Sequence, residues 1–143
     1  MKHLLFLSLT TLTLLTGCHS KKEENFPKGS FSYFDVRDLK ISWSEVLNQK
    51  EEMYMTYFYS ESCGYCNQIK HEVIGHVLGS TQKIYFVEFS DEIPLINDRN
   101  KVIGLAEISE AGIVGTPSMF VISSHVITDY IVGANNIIET LTN

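Results

Sequence analysis

The sequence predicts an α/β domain with a central β-sheet flanked by helices, and three segments indicate it. Met53 to Tyr59 is apolar or aromatic at almost every position, which is typical of a central strand that is covered on both faces. From Cys66 to about Leu78, apolar residues recur at spacings of three and four, as on the buried side of a helix. Ile84 to Phe89 is a second buried strand. In this order the segments predict a βαβ crossover.

Further elements are predicted on both sides of the crossover. Phe31 to Val36 is expected to form an edge strand. Ser42 followed by Glu45 has the form of a capping box, which predicts a short helix from about Trp43 to Lys50. After the crossover we expect a helix, a hairpin of two strands and a final helix: Asp98 to Ala111, Met119 to Ile122 with Val126 to Val132, and Asn135 to Leu141.

Two cysteines three positions apart lie at the predicted junction between the first strand and its helix. At that spacing the sulfurs of Cys63 and Cys66 can lie on one helical turn. The free N–H groups and the dipole at a helix N-terminus favour an anion, so the pKa of Cys63 should be lowered. A thiolate is the nucleophile in disulfide exchange. The spacing therefore predicts a redox dithiol, with Cys63 as the attacking sulfur and Cys66 as the resolving one.

The first 30 residues are expected to lie outside the folded domain. Residues 1–17 have a short positive start and an apolar run too short to span a bilayer. The run ends in Leu15-Thr16-Gly17-Cys18, which resembles the bacterial lipoprotein signal, whose cysteine is lipidated and becomes the first residue. This resemblance implies an anchor on the extracytoplasmic face of the cell membrane, with residues 18–30 as a flexible tether. The alternatives are a simple secretory signal or an uncleaved anchor with an incidental cysteine.

Composition and cysteine count narrow the range of possible functions. The 143 residues carry a net charge of −6 with no basic block, which argues against nucleic acid as a partner. Of the three cysteines, lipidation of Cys18 would leave only the adjacent pair. A disulfide that closes so short a loop removes little entropy from the unfolded chain, so a chemical role explains the pair better than a structural one.

The order of elements over residues 31–143 resembles that of the thioredoxin fold. Three motifs carry the resemblance: Cys63-Gly64-Tyr65-Cys66, Gly115-Thr116-Pro117 and Ile131-Val132-Gly133-Ala134. The resemblance implies a thioredoxin-like fold with a central mixed sheet and a catalytic Cys63–Cys66 pair. It also implies a cis Pro117 beside the sulfurs, and a Thr116 whose backbone can pair with an extended substrate. Gly64 and Tyr65 would support the active site, where Tyr65 could contact substrate or merely cover the site; we expect contact, because residues between such cysteines are usually exposed.

The sequence also departs from thioredoxins proper. Those proteins have a Trp directly before the first cysteine and a buried acid six residues before it, where this chain has Ser62 and Tyr57. Tyr57 is expected to pack in the core. Gly-Tyr between the cysteines, with Thr before the proline, is similar to periplasmic disulfide isomerases, which dimerise through an N-terminal domain. No such domain is visible here, so we expect a monomer. The direction of electron flow stays open.

A zinc site is the main alternative use of the same residues. Cys63, Cys66, His71 and His76 have the spacing of a zinc knuckle, and zinc could take two thiolates and two imidazoles. If the segment is helical, however, His71 lies on a different face from the other three. Exposed helix positions are therefore expected for both histidines, and no metal or other cofactor is expected.

The sequence thus predicts a membrane-anchored, extracytoplasmic thiol–disulfide oxidoreductase. Its expected substrates are exported proteins that contain cysteine, in which it would make, shuffle or reduce disulfides. A membrane redox partner would have to reset the Cys63–Cys66 pair. The alternative from another class is a non-catalytic, thioredoxin-like accessory lipoprotein that binds partners as a chaperone does.

Overall fold

The structure, a computed structural model, describes residues 31–143. Four of the five predicted strands are present, and so are the two helices predicted at the crossover and the C-terminus. The strands are β1 (Met53–Tyr59), β2 (Ile84–Glu88), β3 (Ser118–Ser123) and β4 (Val126–Val132), and the helices are α1 (Gly64–Gly79) and α2 (Ala134–Thr142). The ends of these elements agree with the predictions to within one residue.

The four strands form one mixed sheet in the order β2-β1-β3-β4. β1 pairs in parallel with β2, placing Tyr57 opposite Phe86, and antiparallel with β3, placing Tyr57 opposite Met119. β3 and β4 form the predicted antiparallel hairpin, with Ser124 and His125 at its turn. β1 is therefore central, as its almost continuously apolar sequence predicts. Its carboxyl end leads directly to the cysteine pair.

Each face of the sheet has its own apolar core. Because side chains alternate along a strand, Tyr57 and Tyr59 pack on the face that α1 and α2 cover, in one cluster with Cys66. Tyr54 and Phe58 pack on the opposite face, in the second cluster. Both α-helices thus lie on one face, and α1 is held down by its buried stripe Cys66, Ile69, Val73 and Ile74.

The second face is covered by short 3₁₀-helices, and the predicted helix from Asp98 to Ala111 is wrong. Two 3₁₀-helices, Arg99–Val102 and Ile108–Glu110, lie there in its place. Between them Gly104 has φ +91°, a left-handed conformation that ends a helix. Its N–H donates to the carbonyl of Ile127 at 2.7 Å, so the backbone pairs with β4 instead of continuing the helix.

Two N-terminal predictions also need correction. Phe31 to Val36 is a turn and not a strand, because the Asp35 carboxylate accepts the Ser32 N–H at 2.7 Å and closes it. The backbone contact with β2 is made further along the chain, where the N–H of Ile41 donates to the carbonyl of Phe86.

The helix predicted from Trp43 to Lys50 is only a 3₁₀-helix over Trp43–Glu45, followed by a turn. The predicted capping contact is present, since Glu45 accepts the Ser42 N–H at 2.8 Å. Trp43 is half-buried in the second core, against Phe58.

The expected signal segment 1–17, the tether 18–30 and the lipidation at Cys18 lie outside the described residues. Within residues 31–143, no helix is both long enough and apolar enough to cross a membrane.

Candidate active site

Cys63 caps the N-terminus of α1 with its sulfur. It has extended backbone angles (φ −80°, ψ 117°), the helix begins at Gly64, and the Cys63 Sγ accepts the N–H of Cys66 at 3.2 Å. The sulfur therefore takes the place that a Ser or Asp oxygen usually fills at this position. A negative charge on it would face the positive end of the helix dipole. The predicted position of Cys63 at the helix start is confirmed.

The two sulfurs of the pair lie in different surroundings. Both cysteines are free thiols; Cys63 is partly exposed and Cys66 is fully buried. Burial opposes ionisation of Cys63, but hydrogen bonds from the Cys66 thiol, the Thr116 side chain and backbone N–H groups outweigh it, so its pKa is lowered. Burial, and then the hydrogen bond to Cys63, raises the pKa of Cys66 to about 11. At neutral pH the accessible sulfur is thus the more easily ionised one.

The Thr116–Pro117 segment lies against the pair. The peptide bond between these residues is cis, as the resemblance implied. The thiol of Cys63 donates to the carbonyl oxygen of Thr116 at 3.4 Å. Thr116 is half-buried and Pro117 is buried. Cys63 and Thr116, which are 53 positions apart in the sequence, thereby come together at one site.

A cleft of about 640 Å³ borders the Thr116–Pro117 segment that contacts Cys63. It lies between Tyr65 and Gln68 of α1, the segment 114–117, and the junction 132–136 between β4 and α2. None of these lining residues is charged. Tyr65 is 66% exposed at its rim, and Gly64 is exposed beside it. The cleft thus presents amide groups, apolar side chains and one aromatic ring directly beside Cys63.

Tyr130 of β4 holds the segment that carries the cis bond, and sequence reasoning missed this role. Its buried hydroxyl accepts the N–H of Val114 at 2.8 Å and donates to the Ser118 hydroxyl at 3.2 Å. The N–H of Gly133 also donates to the carbonyl of Pro117 at 3.0 Å. The loop is therefore fixed before and after its cis bond. The glycine motif was noted from the sequence, but a tyrosine in a hairpin strand gives no local sign of such contacts.

The two histidines of the zinc alternative are engaged elsewhere. The ring of His71 stacks on Phe31 with 5.0 Å between ring centroids, and His76 Nε2 lies 2.8 Å from Gln82 Oε1. Both histidines are half-buried, so the expectation that they are exposed is wrong. Within residues 31–143, no three His, Cys, Asp or Glu side chains come together in a way that could hold a metal ion.

Comparison with solved structures identifies the fold. A thioredoxin of Plasmodium falciparum aligns with a TM-score of 0.50 and 19% identity, over 71% of this chain and 96% of that one. The fold is thioredoxin-like. Thioredoxin f2 of Chlamydomonas reinhardtii (TM-score 0.48, 13% identity, 73% of this chain and 93% of that one) and mitochondrial thioredoxin 3 of Saccharomyces cerevisiae (0.46, 16%, 71% and 88%) are similar at a lower score. No family model and no curated protein sequence matches the chain.

In this thioredoxin-like fold the cysteine pair lies where β1 passes into α1, and the cis peptide bond lies just before β3. Because β1 and β3 are neighbours in the sheet, both segments reach the same edge. Every site residue that the sequence predicted within residues 31–143 is therefore gathered there: Cys63, Gly64, Tyr65, Cys66, Thr116 and Pro117.

Proposed function

We propose that this protein is a thiol–disulfide oxidoreductase that works through the Cys63–Cys66 pair. One observation carries the proposal most directly: the two thiols have opposite pKa shifts while their residues are in hydrogen-bond contact. Exchange needs an accessible thiolate to form a mixed disulfide and a second thiol to resolve it. Cys63 and Cys66 fit these two roles. A buried structural pair would need neither the exposure nor the helix terminus.

The exchange has two steps. To oxidise a substrate, the Cys63–Cys66 disulfide is attacked at Cys63 by a substrate thiolate. A mixed disulfide forms, and Cys66 leaves as a thiolate that takes up a proton. A second substrate thiolate then attacks the substrate sulfur of the mixed disulfide, and Cys63 leaves. The low pKa of Cys63 favours this departure, since a more acidic thiol is the better leaving group. The substrate gains a disulfide, and the pair gains two electrons and two protons.

The cleft supports an extended polypeptide as the substrate. Its uncharged lining gives no preference for acidic or basic sequences. The exposed ring of Tyr65 offers an apolar contact, and the backbone at Thr116 lies beside the reacting sulfur. Making or shuffling disulfides in exported proteins is the direction that we propose, because a stabilised Cys63 thiolate favours the reduced form of the pair and so makes the disulfide oxidising.

The location is proposed from the sequence alone. Leu15 to Cys18 resembles a lipoprotein signal, so lipidated Cys18 would anchor the domain to the extracytoplasmic face of the cell membrane. There the substrates would be exported, cysteine-containing proteins, and a membrane redox partner would reset the pair. The protein would act as a monomer. Labelled fatty acid should be incorporated by the natural chain and not by a Cys18→Ser variant; equal labelling would refute the anchor.

Two serine variants test the chemistry. Cys63→Ser should abolish exchange with a reduced or scrambled protein substrate, because the attacking sulfur is lost. Cys66→Ser should accumulate a mixed disulfide at Cys63, which gel analysis without reductant detects, since resolution is blocked. If Cys63→Ser keeps full activity, the protein is instead a binding module that acts through its surface.

A further inference from the structure

Three carboxamide side chains line the cleft beside the cis peptide bond. They are Gln68 of α1 and Asn135 and Asn136 of α2, and all three residues are exposed. Because none of the lining residues is charged, these amides are, with Tyr65 and Thr116, the polar side chains of the cleft. A substrate that enters the cleft therefore meets hydrogen-bonding groups that carry no net charge.

Two hydrogen bonds connect the first turn of α2 to the reactive sulfur. The thiol of Cys63 donates to the carbonyl oxygen of Thr116 at 3.4 Å. The carbonyl oxygen of the next residue, Pro117, accepts the N–H of Gly133 at 3.0 Å. Gly133 is the N-cap of α2, and Asn136 lies in the first turn that follows it. These contacts fix the position of Asn136 relative to the sulfur that a substrate must reach.

The Asn136 side chain is held in one orientation by the backbone. Its Nδ2 donates to the carbonyl oxygen of Val132 at 2.8 Å. A carbonyl oxygen only accepts, so the NH₂ group must face Val132 and the Oδ1 must lie on the other side of the amide. None of residues 31–143 donates a hydrogen bond to this Oδ1. At Asn136 the cleft therefore has an oxygen that is fixed as an acceptor.

The other two amides of the cleft are not fixed in this way. Within the described part of the chain, the side chains of Gln68 and Asn135 make no hydrogen bond, so each can rotate and present either its oxygen or its NH₂ group. They adapt to a donor and to an acceptor alike, whereas the Asn136 oxygen can only accept. Asn136 is also already ordered, so it loses less side-chain entropy when a ligand binds. Among the three amides, Asn136 is the one that can distinguish between substrates.

We infer that Asn136 determines which substrates the cleft prefers, because its Oδ1 accepts a hydrogen bond from a side chain close to the substrate cysteine. This inference rests on the proposed function and narrows the class of substrate. The preferred polypeptides carry an uncharged hydrogen-bond donor, namely serine, threonine, asparagine or glutamine, near the cysteine that exchanges with Cys63.

Hydrogen-bonding capacity decides which side chains suit the place beside Asn136. An apolar side chain there would displace water from the oxygen without replacing the hydrogen bond, which costs free energy. A carboxylate offers only acceptors, so it cannot bond to this oxygen. A lysine or arginine can donate, but no carboxylate lines the cleft to offset the hydration that the cation loses. Because Asn136 is exposed and water reaches it, the preference for an uncharged donor should have the size of one net hydrogen bond.

The test compares two peptides that differ by one isosteric replacement, threonine for valine, near a single cysteine. Both peptides, as their disulfides with 2-mercaptoethanol, compete in equal amounts for Cys63 in the full-length protein carrying Cys66→Ser, which cannot resolve a mixed disulfide. The Cys63 thiolate attacks the peptide sulfur, the mixed disulfide forms, and 2-mercaptoethanol leaves as a thiolate that takes up a proton. Excess 2-mercaptoethanol keeps the exchange reversible, so the ratio of the two adducts measures the relative affinity of the peptides. Digestion and mass spectrometry read Cys63 separately from Cys18, and the comparison is made with the variable residue directly before and directly after the cysteine.

The threonine adduct should exceed the valine adduct about threefold to tenfold in at least one of these placements, which is the size of one hydrogen bond. Asn136→Leu has a similar shape without either polar atom, so it should remove the preference. Asn100→Leu is the matched control, because Asn100 is also exposed but does not line the cleft, and it should leave the preference unchanged.

Equal amounts of the two adducts in both placements would overturn the inference, and so would a preference that survives Asn136→Leu or is lost equally in Asn100→Leu. If Asn136→Leu does not fold, Asn136→Ala decides by the same criterion, since alanine favours a helix and also removes the amide. The measurement needs a reactive Cys63 but no catalytic cycle. Selective adducts in a protein that catalyses no exchange would refute only the proposed function, and an active protein without selectivity would refute only the role of Asn136. A Cys63 that forms no adduct with either peptide would overturn both.

Discussion

Replacing Tyr130 with Phe tests how the segment that carries the cis bond is held. The substitution keeps the ring, which packs edge-on against Phe120 at 4.8 Å, and removes only the hydroxyl. That hydroxyl accepts the Val114 N–H and donates to the fully buried Ser118 hydroxyl. The change therefore leaves two polar groups, one on each side of Thr116–Pro117, without their partner.

The size of the effect follows from these two lost bonds. A buried group left unpaired costs about 1–3 kcal/mol, and Val114 is only half-buried, so Tyr130→Phe should lower the free energy of unfolding by about 2–4 kcal/mol. For a domain of this size that corresponds to a fall in Tm of roughly 10 °C. Chemical and thermal denaturation followed by circular dichroism measure both quantities. The rate of disulfide exchange should fall too, because the segment beside Cys63 loses its support.

Tyr85→Phe is the matched control for this prediction. The Tyr85 hydroxyl donates to Glu51 at 2.6 Å, and Glu51 is exposed enough for water to replace the lost bond. The control should therefore lose clearly less stability than Tyr130→Phe. Equal losses in the two variants would refute the view that Tyr130 holds the loop through its buried hydroxyl.

Two further predictions follow from the site and the core. Alkylation requires the thiolate, so the rate at Cys63 should rise with pH through a midpoint below that of an ordinary cysteine thiol, because its pKa is lowered. Cys66, with a pKa of about 11, should react only in alkali. Mass spectrometry of the two sites checks this, and faster reaction at Cys66 would contradict it. Gly112→Ala should destabilise the fold, since a Cβ there would lie 2.6 Å from the carbonyl oxygen of Pro94. Gly79→Ala, with open space around the last residue of α1, should be neutral or slightly stabilising in the same denaturation assay, and equal losses would refute the clash.

The elements that could be predicted are those whose pattern reflects burial. β1 is apolar on both faces because it lies between two cores, and α1 shows its buried stripe at spacings of three and four. The predictions of secondary structure fail where local contacts and backbone angles determine the conformation of a segment. Asp35 closes a turn in a segment that resembles a strand, and Gly104, with positive φ, interrupts an expected helix.

The candidate site likewise has features that could be predicted from the sequence and features that could not. Cys63 at the helix start could be predicted, because spacing and capping are local properties of the chain. The contacts of Tyr130 with Val114 and Ser118 could not, since they depend on how the hairpin packs against the loop. Tyr57 was expected to pack in the core, and the structure confirms that it is fully buried.

The reduction potential of the Cys63–Cys66 pair tests the central claim most directly. The full-length protein is equilibrated with glutathione buffers, its thiols are trapped, and the two cysteines are read by mass spectrometry. We expect a reversible two-electron transition at a potential above that of thioredoxin, about −270 mV, because the stabilised Cys63 thiolate favours the reduced pair. A reversible transition at or below that value would contradict the proposed direction and indicate a reductase. A pair that does not cycle with glutathione would contradict the oxidoreductase itself.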